Sequence, residues 1–275
     1  MRSTTAASKG VGGATRALRR GALVTGAGQR IGRAFALALA ADGWFVFVHH
    51  NASAKEAART VLDIRAAGGA ARAVRADLAS AAQAEALVGV CKARGVVLEC
   101  LVNNASLFAY DAAPRATPAS FDRHMAVNLR APLLLSQAFA RRLPEGRRGV
   151  IVNVLDQKLR NLNPDFLTYT LSKIGLEGLT TLLAQAFAPD IRVAGIAPGL
   201  TLRSGKQTDE RFAAQHTANP LGVGVATDHL VAALRFILAT PSYTGDTLVV
   251  DSGEHLTARP RDIAFDRRAG KGAAP

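Results

Sequence analysis

Residues 21–41 read GALVTGAGQRIGRAFALALAA. The first five are a short apolar run that reads as a strand. Gly26, Gly28 and Gly32 punctuate the turn that follows, and residues 33–41 repeat Ala, Leu and Phe as a helix does. Strand, glycine turn and helix in that order are the context in which a glycine-rich motif acquires meaning. Glycines let the backbone approach a pyrophosphate, and free amides at the helix start supply donors and a favourable dipole. The spacing from Gly26 to Gly32 is looser than G-x-G-x-x-G, so taken alone the turn is equally well a structural one.

Outward from this unit the chain alternates. Residues 44–49 form a second apolar strand, 55–67 a helix closed by Gly68 and Gly69, 71–75 a strand running to Asp77 and Leu78, and 81–94 another helix. Residues 97–102 read as a buried strand leading into Asn103-Asn104-Ala105-Ser106-Leu107-Phe108, where amide side chains can bond neighbouring backbone and stiffen the floor of a cleft. A long helix over 121–142 carries Asn128, which costs packing in mid-helix unless it is exposed or held in a satisfied core network. Strands over 149–155, 191–196 and 247–250 and helices over 167–188 and 228–239 complete the set, with 203–224 expected as loop or short helices over the cleft. Seven strands alternating with helices predict a single α/β domain, a doubly wound, mostly parallel sheet of the Rossmann type.

The formal charge of +13 is concentrated at the ends. Residues 1–20 carry five cations and no acid, and residues 256–275 five cations against two acids, so eight positive charges lie there and five remain on 21–255. Residues 1–20, rich in Gly, Ala, Ser, Thr and Arg, are expected to be a disordered basic tail, the domain to occupy 21–256, and 257–275 to form a second tail. A moderately basic core suits an anionic cofactor, and without an aromatic-interleaved basic stripe no nucleic acid is expected as partner. Cys91 and Cys100 lie in apolar contexts without metal-ligand spacing and read as core thiols of a reducing compartment. No apolar run approaches the ~18 residues that span a bilayer, so a soluble, cytoplasmic protein without membrane or metal is expected.

The chemistry concentrates in residues 156–173, DQKLRNLNPDFLTYTLSK. Tyr169 and Lys173 are four apart and share a helix face, where the ammonium is expected to lower a phenol that ordinarily ionises near ~10 and to make it a usable proton donor. Asp156 stands thirteen residues before the tyrosine, at the end of the apolar run 149–155. A Tyr-x-x-x-Lys pair alone fits any amphipathic helix, but strand ends and helix starts are where open α/β sheets carry their sites. At the end of the second strand, His49-His50-Asn51-Ala52-Ser53 lacks the carboxylate that accepts from ribose hydroxyls in NAD sites; with Arg30 in the nearby turn, this favours NADP. His49 ends the second strand, and the plain alternative to a cofactor role for the two histidines is exposed loop residues. A metal site is not expected, because adjacent side chains on an extended segment point apart and no third ligand is evident.

On these residues the chain resembles the short-chain dehydrogenase/reductase family over about 21–256, with its landmarks in order: Thr25 to Gly32, Asp77, Asn103-Asn104-Ala105, Asn128, Tyr169-x-x-x-Lys173 and Pro198-Gly199. Two departures are more specific. Arg30 replaces the middle glycine of T-G-x-x-x-G-x-G, and Asp156 replaces the usual serine. Both are similar to the pteridine reductase branch and the related dihydromonapterin reductases, as is Asn-Asn-Ala-Ser-x-Phe at Asn103 to Phe108. Ala52 stands where the protozoan members carry arginine, leaving a cofactor phosphate to Arg30, Ser53 and local amides.

The resemblance implies NADPH as cofactor. It would be held by Gly26, Arg30, Ile31 and Gly32, by His49, Asn51 and Ser53, and by Asp77 and Leu78. Asn104, Ala105, Ser106, Tyr169, Lys173, Pro198, Gly199 and Thr201 would complete that site. It implies reduction of a dihydropterin, with dihydrofolate a further candidate. Tyr169 would be the proton donor and Lys173 would tune it and bind the nicotinamide ribose. Asp156 would hold the pterin's N–H groups or relay a proton, and Asn128 would position a water behind the lysine. Pterin contacts would come from Arg30, Ser106, Phe108, Asp156, Tyr169 and Leu200, and the assembly would be a homotetramer. A carbonyl reductase for a 3-oxoacyl, sugar or steroid-like ketone is the competing enzyme reading. A cofactor-sensing binding protein is the non-enzymatic one, and the intact Tyr169 and Lys173 stand against it.

Overall fold

A computed structural model describes residues 18–203 and 207–265. Seven parallel strands make one sheet, β1 (Arg19–Val24), β2 (Phe45–His50), β3 (Ala70–Arg75), β4 (Val96–Asn103), β5 (Gly149–Val154), β6 (Ile191–Pro198) and β7 (Thr247–Val250), in the order β3-β2-β1-β4-β5-β6-β7. Parallel strands need crossovers, and helices on both faces supply them. These are α1 (Arg30–Ala41), α2 (Ala54–Ala66), α3 (Ala81–Val90), α4 (Pro118–Met125), α5 (Ala131–Ala140), α6 (Leu167–Phe187), α7 (Asp209–His216) and α8 (Thr227–Ala239).

Strand alternation divides the core. Ala22, Val24, Val46, Val48, Val152 and Ile196 pack on one face with Phe35 and Leu39 of α1, Ile64 of α2 and Leu230 and Leu234 of α8. Their neighbours Leu23, Phe47, Ile151 and Val193 pack on the other with Leu87 of α3, Leu135 and Phe139 of α5 and Leu183 of α6. Both faces are therefore covered, which is why the strands read as continuous apolar runs rather than alternating ones. The strand order reverses between β1 and β4, opening a crevice at their carboxyl ends.

The single expected helix over 121–142 is three pieces. It begins at Pro118, behind a Thr117 cap whose hydroxyl accepts from Ser120 N–H while Ser120 returns a bond to Thr117 N–H. A π-helical turn then spans Ala126–Arg130, closed by Ala131 N–H on the Ala126 carbonyl. Pro132 is the cause we assign: lacking an N–H, it cannot close an α-turn on Asn128. The helix expected over 81–94 stops at Val90, whose carbonyl accepts from the Arg72 guanidinium at 2.5 Å. The segment 203–224 contains α7, capped by Thr208 accepting from Arg211 N–H.

The ends of the chain also depart from expectation. Arg19 and Arg20 belong to β1, with the Arg20 guanidinium 4.2 Å from the Trp44 ring centre; the rest of the expected amino-end tail, 1–17, lies outside the described residues. Residues 257–265 pack against the crevice, and 266–275 lie outside the described residues. His49 ends the second strand as expected, and His50 belongs to it too: both are the buried end of β2 and neither is an exposed loop residue. His49 Nδ1 accepts from Gly26 N–H at 3.1 Å, so Nε2 carries the proton donated to the Ala76 carbonyl at 3.1 Å. Both ring nitrogens serve the scaffold.

Burial holds His49 down to about 4, so the fold favours the neutral ring. Its stabilising effect is complete above the ordinary value of 6.5 and is lost as pH falls toward about 4. The unfolding free energy of the wild type should therefore drop by about 2–3 kcal/mol more than that of His49→Gln over this interval, read from urea unfolding at successive pH values. Parallel pH dependences would remove His49 from this role.

Candidate active site

The glycine turn and the end of β4 are tied together by Thr25. Its hydroxyl accepts from the amides of Asn104 and Ala105, each at 2.9 Å, and donates to Val102 O at 3.2 Å, while the Asn104 amide donates to Thr25 O at 2.8 Å. A Cβ at Gly32 would lie 2.4 Å from both the Gly26 carbonyl and Asn104 Nδ2, so only glycine fits there. Gln29 places no side-chain cap on α1, and the opening amides of Arg30, Ile31 and Gly32 border a cavity of about 740 Å³. This donor set at a helix start fits a pyrophosphate. Arg30 occupies the left-handed region, with φ 56°, where glycine is ordinarily found. Its guanidinium donates to the carbonyls of Arg203 at 2.6 Å and Leu202 at 3.2 Å.

At the other end of the cavity β5 delivers Asp156 and α6 delivers Tyr169 and Lys173. Asp156 starts a 3₁₀ turn, Gln157–Arg160: its Oδ1 accepts from Lys158 N–H at 2.9 Å and its Oδ2 from the Tyr169 hydroxyl at 2.6 Å. Lys173 Nζ donates to the Val154 carbonyl at 2.7 Å and lies 5.7 Å from the Tyr169 ring centre. Burial, followed by the charge and hydrogen bond of Asp156, pushes the phenol well above its ordinary value. This corrects the expectation that Lys173 lowers it: the hydroxyl hydrogen-bonds to a carboxylate and not to the ammonium. Burial likewise raises Asp156, against the bonds from Tyr169 and Lys158, and lowers Lys173 to about 8, against the charge of Asp156.

The start of α6 is fixed from outside the helix. Residue 166 is a phenylalanine in the left-handed region, φ 55°, and offers no cap. Asp111 supplies it instead, accepting from Thr168 N–H at 3.0 Å through Oδ1 and from Leu167 N–H at 3.3 Å through its carbonyl. Asn128, on the π-turn, accepts from Leu107 N–H at 2.8 Å and donates to Leu107 O at 2.9 Å and Ser172 Oγ at 3.0 Å. Its side chain clamps the loop after β4 onto α6, a satisfied core network, while the Lys173 ammonium bonds to the Val154 carbonyl instead.

The structure gathers most of the expected residues around one cavity. Gly26, Arg30, Ile31, Gly32 and Ser53 line one end, and Asn104, Ala105, Ser106 and Phe108 its floor. Asp156, Tyr169 and Lys173 stand at the catalytic end with Pro198, Gly199, Leu200 and Thr201 of the β6 loop opposite. Asn128 and four expected cofactor contacts are not on this lining. His49 lies beneath the turn, Leu78 is buried, and Asn51 Nδ2 donates to Asp77 Oδ1 at 3.2 Å, tying the ends of β2 and β3. Phe108 does line it, but its ring stacks on Phe166 at 4.3 Å and meets Tyr169 edge-on at 4.7 Å. Sequence reasoning assigned no role to Lys158, although it lies two residues after Asp156, nor to Glu254, Asp262 or Phe265, which no local pattern marks. Glu254 accepts from Leu200 N–H at 3.3 Å, and burial pushes its carboxyl up to about 7.

The short chain dehydrogenase family model matches residues 20–213, and the chain belongs to that family of oxidoreductases. Among solved structures it is similar to FolM alternative dihydrofolate reductase 1 from Brucella suis in complex with NADP. The TM-score is 0.84 at 38% identity, covering 89% of this chain and 98% of that one. It is also similar to the angucycline C-6 ketoreductase LanV with bound NADP, with TM-score 0.80 at 31% identity over 88% of this chain and 98% of that one. A 3-oxoacyl-[acyl-carrier-protein] reductase of Synechocystis sp. is 30% identical over 84% of this chain and 95% of its own.

Lys173, lowered to about 8 by burial, makes a role for its cation testable by pH. Were Tyr169 the proton donor, this cation, present below that value, would offset the phenolate left behind. The kcat for reduction should fall as pH rises through about 8 in a profile at saturating substrates. A flat profile to pH 10 would contradict this role for the ammonium.

Proposed function

We propose that the protein is an NADPH-dependent pteridine reductase, converting a dihydropterin to the tetrahydropterin, with dihydrofolate as a further candidate substrate. The observation that carries this reading is Asp156: a carboxylate one hydrogen bond, 2.6 Å, from the Tyr169 hydroxyl, at the position where a serine would serve a carbonyl oxygen. A pterin C=N requires hydride at carbon and a proton at nitrogen, and it presents amino and ring N–H donors beside that bond. A carboxylate accepts such donors; a serine matches a ketone better.

The reduced nicotinamide, when bound, supplies the hydride. Tyr169, kept a neutral phenol by burial and by Asp156, supplies the proton from its O–H to the ring nitrogen, so that one hydride and one proton add across C=N. The Lys173 ammonium offsets the charge left on the phenolate. Asp156, raised by its burial, is able to hold the pterin N–H groups or to return a proton to the phenolate. The preference for NADPH is supported by the absence of a carboxylate after β2, which leaves Ser53 and local amides near the cofactor end, and by the NADP in the Brucella and LanV structures. Self-association to a homotetramer belongs to the proposal, with Leu171, Ile174 and Leu182 exposed on α6 as apolar surface for it.

A carbonyl reductase is the second reading. It is favoured by the Phe108 ring, which is committed to Phe166 where the pterin reading asks it to stack on substrate, and by the resemblance to LanV.

The two are separated by following NADPH absorbance with dihydromonapterin, dihydrobiopterin and an acetoacetyl thioester side by side; turnover of the thioester alone would sink the pterin assignment. Tyr169→Phe should reduce kcat about 100-fold or more while leaving NADPH binding intact. Asp156→Ser should lower kcat/KM for the pterins at least about tenfold more than for the thioester, and equal losses would deny the carboxylate a substrate-reading role.

A further inference from the structure

We propose that residues 259–265 form an intramolecular wall at the substrate end of the cavity and set the length of substrate that the site admits. This rests on reading the cavity as a reductase site, but not on the substrate being a pterin.

The segment is anchored on both sides. Toward the start of α6, Arg261 makes a bidentate pair with the buried Asp165, both bonds at 2.7 Å, and Asp262 N–H donates to the same carboxylate at 2.8 Å. Lys158, 4% exposed, directs its ammonium to three acceptors: Asp262 Oδ2 at 2.9 Å, Asn163 Oδ1 at 2.7 Å and the Asp165 carbonyl at 2.7 Å. A buried ammonium carries its charge only when its protons are so used. Toward α7, Gln215 donates to the Ile263 carbonyl at 2.5 Å and Arg211 to the Ala264 carbonyl. The segment therefore bridges the wall formed by the start of α6 and the wall formed by α7.

Its inner side belongs to the cavity: Asp262, Ile263, Ala264 and Phe265 all line it. Phe265 packs edge-on to Tyr110 at 5.0 Å and lies 5.9 Å from Phe166, whose ring stacks on Phe108, itself against Tyr169. An unbroken row of aromatic rings thus runs from the catalytic hydroxyl to the bridging segment. Of these rings Phe108, Tyr169 and Phe265 line the cavity, and the buried Phe166 backs them, so a compact planar substrate meets Phe108 and Tyr169 at the reacting end and Phe265 at the wall. A substrate carrying a long extension from the reacting ring must displace Phe265 and its backbone anchors. The Asp165–Arg261 pair that holds the segment lies outside the cavity lining, so the wall can be loosened without touching a residue that faces substrate.

The test compares wild type with Arg261→Ala, Arg261→Lys and Phe265→Ala on two graded series: dihydropterins from dihydromonapterin to dihydrofolate, and 3-oxoacyl thioesters of rising acyl length. In whichever series is turned over, Arg261→Ala and Phe265→Ala should raise kcat/KM for the longest member relative to the shortest by about tenfold, with Arg261→Lys close to wild type. An unchanged long-to-short ratio overturns the wall. If the thioesters show the shift and the pterins are not turned over, the pteridine assignment fails while the wall stands. If the pterins are turned over with an unchanged ratio, the reverse holds. A readout free of turnover is quenching of bound-NADPH fluorescence by acrylamide and by the bulkier nitroxide TEMPOL. Arg261→Ala should admit TEMPOL more readily without changing acrylamide quenching, and identical quenching in both proteins also overturns the proposal.

Discussion

A phenol donating to a carboxylate at the inner end of the cavity is the constraint on which the rest of the site depends. Tyr169 and Asp156, with their oxygens 2.6 Å apart, are each displaced upward by burial; the carboxylate holds the proton on the phenol, while the phenol's hydrogen bond works against burial and favours the carboxylate. Such a pair is costly unless neighbouring groups define where the protons sit. Lys158 N–H fixes one oxygen of Asp156, and Lys173 places a positive charge nearby while bonding to the end of β5. The pocket therefore holds Tyr169 as a neutral, oriented phenol.

Orientation comes from the sheet. The ends of β4, β5 and β6 deliver Asn104, Asp156 and Gly199 to one crevice, and a Cβ at Gly199 would lie 2.8 Å from Asp251, so this loop closes only around glycine. The helix carrying Tyr169 has no cap of its own, and Asp111 and Asn128 hold it from two sides. The π-turn at Asn128 lets one side chain reach both the loop after β4 and α6, so a proline-induced irregularity joins the floor of the cleft to the catalytic helix.

Much of the fold was legible because parallel strands buried on both faces leave continuous apolar runs, and glycines mark the turns that no other residue fits. Residues of the crevice were legible where they lie at strand ends: Gly26, Asn104, Asp156 and Pro198 follow directly from the strand boundaries, and Gly32 from the glycine turn that opens α1. What stayed hidden depends on contacts distant in sequence. Nothing local signals that His49 turns its ring beneath Gly26, that Asp111 caps a helix 57 residues later, or that Asp262 returns across 104 residues to Lys158. The direction of the Tyr169 shift was misread for the same reason. Four-residue spacing predicts the proximity of Lys173, but only the fold shows that burial and Asp156 prevail over it.

The most direct measurement is ionisation of Tyr169 itself, followed by carbon-13 NMR of protein labelled at the tyrosine ζ carbon. The three tyrosine signals are distinguished by Tyr169→Phe. Tyr169 should remain protonated well above pH 10, and replacing Asp156 with asparagine should bring its titration down toward the ordinary range. A phenolate forming near neutrality in the wild type, or a titration indifferent to Asp156, would contradict the carboxylate-held acid at the centre of the site.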